Sequence, residues 1–298
     1  MPMTYEDGRY RDQSFTLASH SYRGCSVGSE QTCHQFPGHD VMFDVGRASL
    51  SSTVISHVFV THGHDDHVGG LGTHHLRRNG WGLDPASYYV QEDDVPLVKT
   101  LVGAQCALNR SKALRDVHII PVGEGFEAPV GKAGYVVRPF RSTHRIPCLG
   151  YGLWSTRKRL RADLQGAGKD AIIAARKRGE VIDELFDVCE AAFPGDTNLN
   201  ILDKPAGSTV RSARVLLLEC TFIDNEVSAT DTRRTGHVHI EDFVGAAKAG
   251  AFQNEVILLT HFSARYPPEY VRETVTKRLA NEAIGERVKL LLPEPRSR

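Results

Sequence analysis

Four residues of metal-ligand type fall within six positions of this chain: His62, His64, Asp66 and His67, in Thr61-His62-Gly63-His64-Asp65-Asp66-His67-Val68-Gly69-Gly70. The run follows directly on the apolar Val58-Phe59-Val60, so it leaves the end of a strand as a loop. From such a loop His62 and His64 can turn to one cation while Asp66 and His67 face a second beside it. Neutral imidazole and carboxylate ligands suit Zn²⁺ and related divalent ions. Gly69 and Gly70 leave room for the next helix to approach the loop closely. Two ions need more ligands than these four. A sheet presents side chains to one site at the carboxyl ends of its strands, and three further candidates stand at such ends. His144 follows Gly-Tyr-Val-Val-Arg-Pro-Phe, Asp196 lies in Phe-Pro-Gly-Asp-Thr, and His261 closes Val-Ile-Leu-Leu-Thr-His.

The elements that must position these residues read as short apolar runs bounded by Gly, Pro and Asp. They lie at 39–46, 56–64, 87–91, 117–123, 134–140, 214–222 and 255–262, each of strand length and rich in Val, Ile, Leu and Tyr. Helical spacing predicts helices over 68–79, 92–107, 240–250 and 267–281, the last opening on Pro267-Pro268. Strands come first in a run and then alternate with helices. That order predicts an α/β fold of two sheets with helices packed outside, in one domain over residues 1–298. The chain shows no internal repeat, and about the first 20 residues are expected to be poorly ordered.

Composition excludes several classes. Hydrophobic residues make up 41% and charged residues 24%, which supports a sizeable core and rules out a disordered tail, a collagen-like fibre or a disulfide-stapled module. No apolar run approaches the roughly 18–20 residues that cross a bilayer, and the start lacks a signal-type apolar region; the expectation is a cytoplasmic protein with no membrane partner. Six scattered cysteines without a CxxC pair fit reduced thiols. Lys+Arg and Asp+Glu both number 36, so no global field attracts a polyanion, and any nucleic-acid contact needs locally gathered charge. Residues 153–190 gather it. Arg157, Lys158, Arg159, Arg161, Lys169, Arg176, Lys177 and Arg178 stand against only Asp163 and Asp170 before Glu180. The stretch is expected to form two helices joined at Gly166-Ala167-Gly168. On charge alone it reads equally as an ordinary solvated hairpin or as an arm that grips phosphates.

HxHxDH followed by His, Asp and His resembles the ligand order of the metallo-β-lactamase fold. The flanking text is more specific. His-Arg-Ile-Pro-Cys-Leu-Gly-Tyr (144–151), Phe-Pro-Gly-Asp-Thr (193–197), Leu-Glu-Cys-Thr-Phe (218–222), Gly-His-Val-His (236–239) and Leu-Thr-His-Phe-Ser-Ala-Arg-Tyr (259–266) resemble tRNase Z (ribonuclease Z), especially its short, plant-type form. So do the Gly-containing stretch at 26–33 and Phe43-Asp44-Val45-Gly46-Arg47; the likeness runs from about residue 22 to 292. The resemblance implies an αββα sandwich with a protruding helical arm and two Zn²⁺ per subunit. It implies His62, His64 and His144 on one ion, Asp66, His67 and His261 on the other, and Asp196 between them. It further implies that Glu219 and His237 protonate the leaving group, that 153–190 is an arm clamping tRNA, and that the chain forms a homodimer. Two features depart from the family pattern: Leu218 stands where many members carry a His before the Glu, and the Pro- and Lys-containing N-terminal loop of bacterial short forms has no clear counterpart.

The resulting expectation is a zinc-dependent endoribonuclease that removes 3′ trailers from precursor tRNA. A metal-activated hydroxide held by Asp66 would attack the phosphodiester, leaving a 3′-hydroxyl on the tRNA. His239 competes with His237 for the proton-donor role and reads otherwise as the cap of the helix opening at 240. Arg265 would bind a phosphate or pair with an acid. A phosphodiesterase of the same fold acting on cyclic nucleotides or other small phosphodiesters is the alternative, and it would need no basic arm. A metal-free RNA-binding relative is disfavoured by the full ligand set, and a thioesterase or lactamase has no use for polycationic residues. His20, His34, His39, His57, His74, His75 and His118 are read as structural.

Overall fold

The computed structural model describes residues 10–111, 117–131 and 134–295. After β1 (Tyr10–Arg11), seven strands build one sheet in chain order: β2 (Gln13–Leu17), β3 (His20–Val27), β4 (Gln31–Phe36), β5 (Val41–Phe43), β6 (His57–Phe59), β7 (Ser87–Gln91) and β8 (His118–Val122). Seven more build the second: β9 (Ala128–Pro129), β10 (Tyr135–Arg141), β11 (Leu149–Leu160), β12 (Asp183–Phe193), β13 (Val215–Glu219), β14 (Val256–Thr260) and β15 (Val288–Leu290). Finally β16 (Glu294–Pro295) returns to pair with β1. In each sheet the first three pairings are antiparallel and the last three parallel. The two halves thus share a topology that no sequence repeat announces.

Helices α1 (Asp65–Val68), α2 (Leu71–Gly80) and α3 (Val95–Leu108) belong to the first half, and α4 (Lys169–Lys177), α5 (Gly207–Ser212), α6 (Ala229–Thr235), α7 (Ile240–Lys248) and α8 (Pro268–Leu279) to the second. Central strands such as β5, β13 and β14 are apolar at successive positions because both of their faces are covered. Along β13, Leu217 points between the sheets with Phe43, Phe59, Tyr151 and Phe193, while Leu216 and Leu218 point outward onto Ile240, Phe243, Val271 and Val275. Met42, Val58 and Tyr88 face the other way, onto Leu71, Val98, Val102 and Cys106. In α3 the last three lie four residues apart, one helical stripe. Three apolar layers therefore separate helix, sheet, sheet and helix, which is the αββα sandwich.

Three expectations change. The predicted helix at 68–79 is two pieces, α1 and α2, broken at Gly69-Gly70. The N-terminal expectation fails over 10–17, which pair as β1 and β2; residues 1–9 lie outside the described residues. The largest change concerns 153–190, which is not a pair of helices. β11 and β12 form an antiparallel ribbon whose outer part, beyond Ser155, pairs with no other strand among the described residues, and a short helical cap carrying α4 joins its ends. The cross-strand register puts Arg159 opposite Glu184 and Thr156 opposite Asp187, so acids distant in sequence stabilise the ribbon.

Candidate metal centre

The strand ends converge as the topology requires. β6 delivers His62, His64, Asp66 and His67, β10 is followed by His144, β12 by Asp196, β13 ends on Glu219, and β14 is followed by His261. All seven candidate ligands lie together. The ligand atoms of His62, His64, His144 and Asp196 fall within 4.8 Å of one another, as do those of Asp66, His67 and His261. Asp196 stands between the two groups. Its Oδ2 is 3.8 Å from His62 Nε2, while its Oδ1 is 3.2 Å from His67 Nε2 and 3.5 Å from His261 Nε2. One carboxylate thus offers an oxygen to each side.

Two of these strand ends are held in left-handed backbone: Asp44 after β5 has φ 60° and His261 has φ 58°. Non-glycine residues adopt that conformation at a cost of about 1–3 kcal/mol, and it recurs where a side chain must be aimed. Gly46 lets the loop after β5 lie against the metal loop, since a Cβ there would overlap the Asp66 carbonyl. Hydrogen bonds from Val45 N–H to His67 O (2.8 Å) and from Gly70 N–H to Val45 O (2.8 Å) lock the two loops together.

The atoms facing inward are suited to cations. His67 Nε2, His144 Nε2 and Asp196 Oδ1 are buried and make no hydrogen bond, although His67 and Asp196 approach to 3.2 Å. Close but misaligned donors of this kind are left available for a third partner. Their opposite edges are fixed. His67 Nδ1 meets Asp44 Oδ2 at 2.6 Å, His144 Nδ1 donates to Gly236 O at 3.0 Å, and His261 Nδ1 meets Thr221 Oγ1 at 3.1 Å. Asp66 Oδ2 accepts from Ser29 N–H at 2.9 Å and faces His261 Nε2 at 3.2 Å. Such outer contacts set the ring tautomer and orientation that a metal needs.

The electrostatics agree. Asp44, Asp66, Asp196 and Glu219 are all buried in one region. Burial would raise the Asp196 carboxyl, but His261 and His67 outweigh it and hold Asp196 well below the usual carboxylate range. Burial would likewise lower the His67 imidazole, but Asp196 and Asp44 prevail and raise it well above an ordinary imidazole. The carboxylates thus favour positive charge on His67 and His261, a role that bound cations would take over. On the other side, burial, His144 and Arg145 push His64 down to about 4, keeping it neutral as a ligand must be.

Beside the cluster, His237 Nδ1 meets Glu219 Oε1 at 2.9 Å. Glu219 is itself held by Thr197 N–H (2.8 Å), Thr221 Oγ1–H (2.6 Å) and Val238 N–H (3.1 Å). Burial would lower the His237 imidazole, but the Glu219 charge and hydrogen bond prevail and raise it to about 9. His239 is elsewhere engaged: its Nδ1 accepts from Glu241 N–H at 3.2 Å and its Nε2 donates to Asp224 O at 2.7 Å, which caps α7.

No family model matches the chain. A chloroplastic tRNase Z of Arabidopsis thaliana is 34% identical over 265 residues, covering 88% of this chain and 72% of the relative. A second Arabidopsis tRNase Z is 29% identical over 266 residues, covering 89% and 93%. The chain belongs to the tRNase Z family. Among solved structures, human tRNase Z, short form, superposes with a TM-score of 0.53 at 16% identity, covering 96% of this chain and 94% of that one. A metallo-β-lactamase-fold protein of Bacillus subtilis gives 0.55 at 15% identity, covering 90% and 94%. Both share the fold.

Within this tRNase Z fold the basic ribbon carries less free charge than its cation run suggests. Residues 153–190 hold eight Lys and Arg but also seven Asp and Glu. Arg157 pairs with the buried Glu190, Arg159 with Glu184 (2.7 Å), Arg161 with Asp163 (2.6 Å) and Arg178 with Glu180 (2.6 Å). Lys158, Lys169, Arg176 and Lys177 are exposed and make no ion pair among the described residues. Arg265 pairs with Glu226 at 3.2 Å and lies over the Phe222 ring at 5.0 Å, so of the two options left open it takes the acid. Sequence reasoning missed Asp44 and Thr221. Asp44 was within reach: it directly follows β5, which pairs in parallel with β6, the same rule that found the candidate ligands. Several other histidines have partners outside the cluster: His74 with Tyr88, His34 with Tyr22, and His20 with His39 and Glu190. Among the described residues no helix is long and apolar enough to cross a membrane.

Proposed function

We propose that the chain is a two-zinc endoribonuclease that cuts the 3′ trailer from precursor tRNA. The observation that carries this is the pair of adjoining donor groups sharing Asp196, with the His237–Glu219 pair beside them. His62, His64, His144 and Asp196 would hold one ion, and Asp66, His67, His261 and Asp196 the other. Two such ions supply, when bound, an acidified water and charge stabilisation for a phosphodiester under in-line attack.

The chain's own residues do the rest. Asp66, fixed by Ser29 N–H, orients the attacking water. His237 carries a proton at neutral pH because Glu219 stabilises its charged form, and it delivers that proton to the departing 3′-oxygen of the tRNA. Glu219 keeps the imidazole aligned through Nδ1, leaving Nε2 for the leaving group. The reaction yields a 3′-hydroxyl on the tRNA and a 5′-phosphate on the trailer. The free cations of the ribbon, Lys158, Lys169, Arg176 and Lys177, grip tRNA phosphates away from the cut, with Arg157, Arg159, Arg161 and Arg178 shaping the ribbon through their acid partners. Arg265 borders the substrate path as a stacked, acid-paired guanidinium.

A homodimer is carried over from the family resemblance, and light scattering on the purified protein tests it. Six unbridged, buried cysteines support a reducing compartment such as the cytoplasm. The deciding experiment incubates the zinc-loaded protein with a 3′-extended precursor tRNA and maps the cut. A single cleavage that leaves a 3′-hydroxyl, abolished by chelator, is expected; efficient hydrolysis of cyclic nucleotides with intact precursor tRNA would overturn the reading.

A further inference from the structure

Four arginines near the centre are neutralised by carboxylates. Arg47 pairs with Glu30 (3.5 Å), Arg141 with Glu124 (3.3 Å), Arg233 with Asp242 (2.6 Å) and Arg265 with Glu226 (3.2 Å). Arg145, the residue next to His144, is exposed and forms no ion pair among the described residues. Its one partner there is unusual for a cation: Arg145 Nη2–H donates to His64 Nε2 at 2.8 Å. A guanidinium carries five N–H donors in a rigid fork, so most of its donor capacity is unused among the described residues.

The contact also cannot outlast occupation of the site. His64 turns Nδ1 inward, 2.9 Å from His62 Nε2. When Nδ1 serves as a ligand, the neutral ring carries its proton on Nε2, which then has no lone pair for Arg145. The arginine loses its acceptor just as the centre becomes competent, and what remains in front of it is the position where an anionic substrate meets the ligands.

We propose that Arg145 is a substrate-binding residue of this centre, its guanidinium taking a non-bridging oxygen of the scissile phosphodiester. The proposal rests on the functional reading above in that the substrate is a phosphodiester, but it does not depend on that diester lying in tRNA. An arginine fork matches phosphate geometry and stays charged at every working pH. Because the contact is to the reacting group, it serves a small diester and a precursor tRNA alike, unlike the cations of the ribbon.

The test compares wild type, Arg145→Ala, Arg145→Lys and, as a control for a neighbouring charge, Arg141→Ala. Zinc content is measured on each, then affinity of the zinc-loaded proteins for inorganic phosphate by calorimetry, then kcat/KM on precursor tRNA and on bis(p-nitrophenyl) phosphate. We expect full zinc content throughout. Arg145→Ala should weaken phosphate binding and lower kcat/KM on both substrates by about 10- to 100-fold, the range for a hydrogen bond to a charged group. Arg145→Lys should recover part of the loss, and Arg141→Ala should match wild type. Unchanged phosphate affinity in Arg145→Ala overturns the proposal. So does zinc lost in proportion to activity, which would make Arg145 a support for His64 only. If wild type leaves precursor tRNA uncut while the variants still separate in phosphate affinity, the tRNA reading fails and the role of Arg145 stands.

Discussion

Replacing Asp44 with Asn changes one atom in a fully buried side chain and should cripple the centre from behind. Thr61 N–H donates to Asp44 Oδ1 at 2.7 Å, while Oδ2 faces both Thr61 Oγ1 at 2.9 Å and His67 Nδ1 at 2.6 Å. In Asp44→Asn the amide oxygen must stay opposite the Thr61 N–H, because the NH₂ cannot accept there. The NH₂ therefore lands against His67 Nδ1. To satisfy it, His67 must accept at Nδ1 and carry its proton on Nε2, the inward atom 3.2 Å from Asp196 Oδ1. A proton on Nε2 blocks it as a ligand. Metal binding then requires the other tautomer, which sets two N–H groups facing each other in a buried pocket. An unmade buried hydrogen bond of this kind costs about 1–3 kcal/mol, or roughly 5- to 150-fold in a dissociation constant, in line with about 10–100-fold for lost outer contacts in metal sites. Zinc affinity is read by competition with a chromophoric chelator, with thermal melting of the metal-free protein as the control for folding. Zinc held by Asp44→Asn within twofold of wild type would refute both the tautomer argument and the assignment of His67 Nε2 as a ligand atom.

Other perturbations separate the remaining roles. His237→Ala should keep its zinc yet lose about 10²–10⁴-fold in turnover, the usual contribution of a positioned acid; His239→Ala should instead cost about 1 kcal/mol of stability through the lost cap of α7 and leave turnover near wild type, as denaturant titration and kinetics will show. Changing Lys158, Lys169, Arg176 and Lys177 together to Ala should raise KM for precursor tRNA, spare a small phosphodiester, and flatten the salt dependence of binding by about one unit of log–log slope per cation that touches a phosphate. Gly46→Ala should destabilise the fold by about 1–3 kcal/mol or more, since the new methyl meets the Asp66 main chain rather than a movable side chain; a melting temperature equal to wild type would contradict the close approach of the two loops.

The amino-acid sequence alone picked out the seven candidate ligands that the fold brings together, and the sandwich. HxHxDH is legible because four of the seven candidate ligands sit in one loop, where spacing along the chain is spacing in space. His144, Asp196 and His261 are legible because strand ends share one edge of a sheet, and the apolar runs of β6 and β14 and the buried Ala191-Ala192-Phe193 end of β12 mark such ends. Other features depended on partners remote in sequence. Asp44 orients His67 across 23 positions, and Arg145 reaches His64 across 81; no local pattern encodes either meeting. The basic stretch is the clearest case. Its cations suggested two helices because charge and short-range spacing were all that could be read, yet Arg159 and Glu184, 25 residues apart, lie opposite each other on a ribbon. Only strand pairing decides which charges are consumed internally and which remain for a polyanion, because that depends on register, and register is set by the whole sheet rather than by the residues that carry the charge.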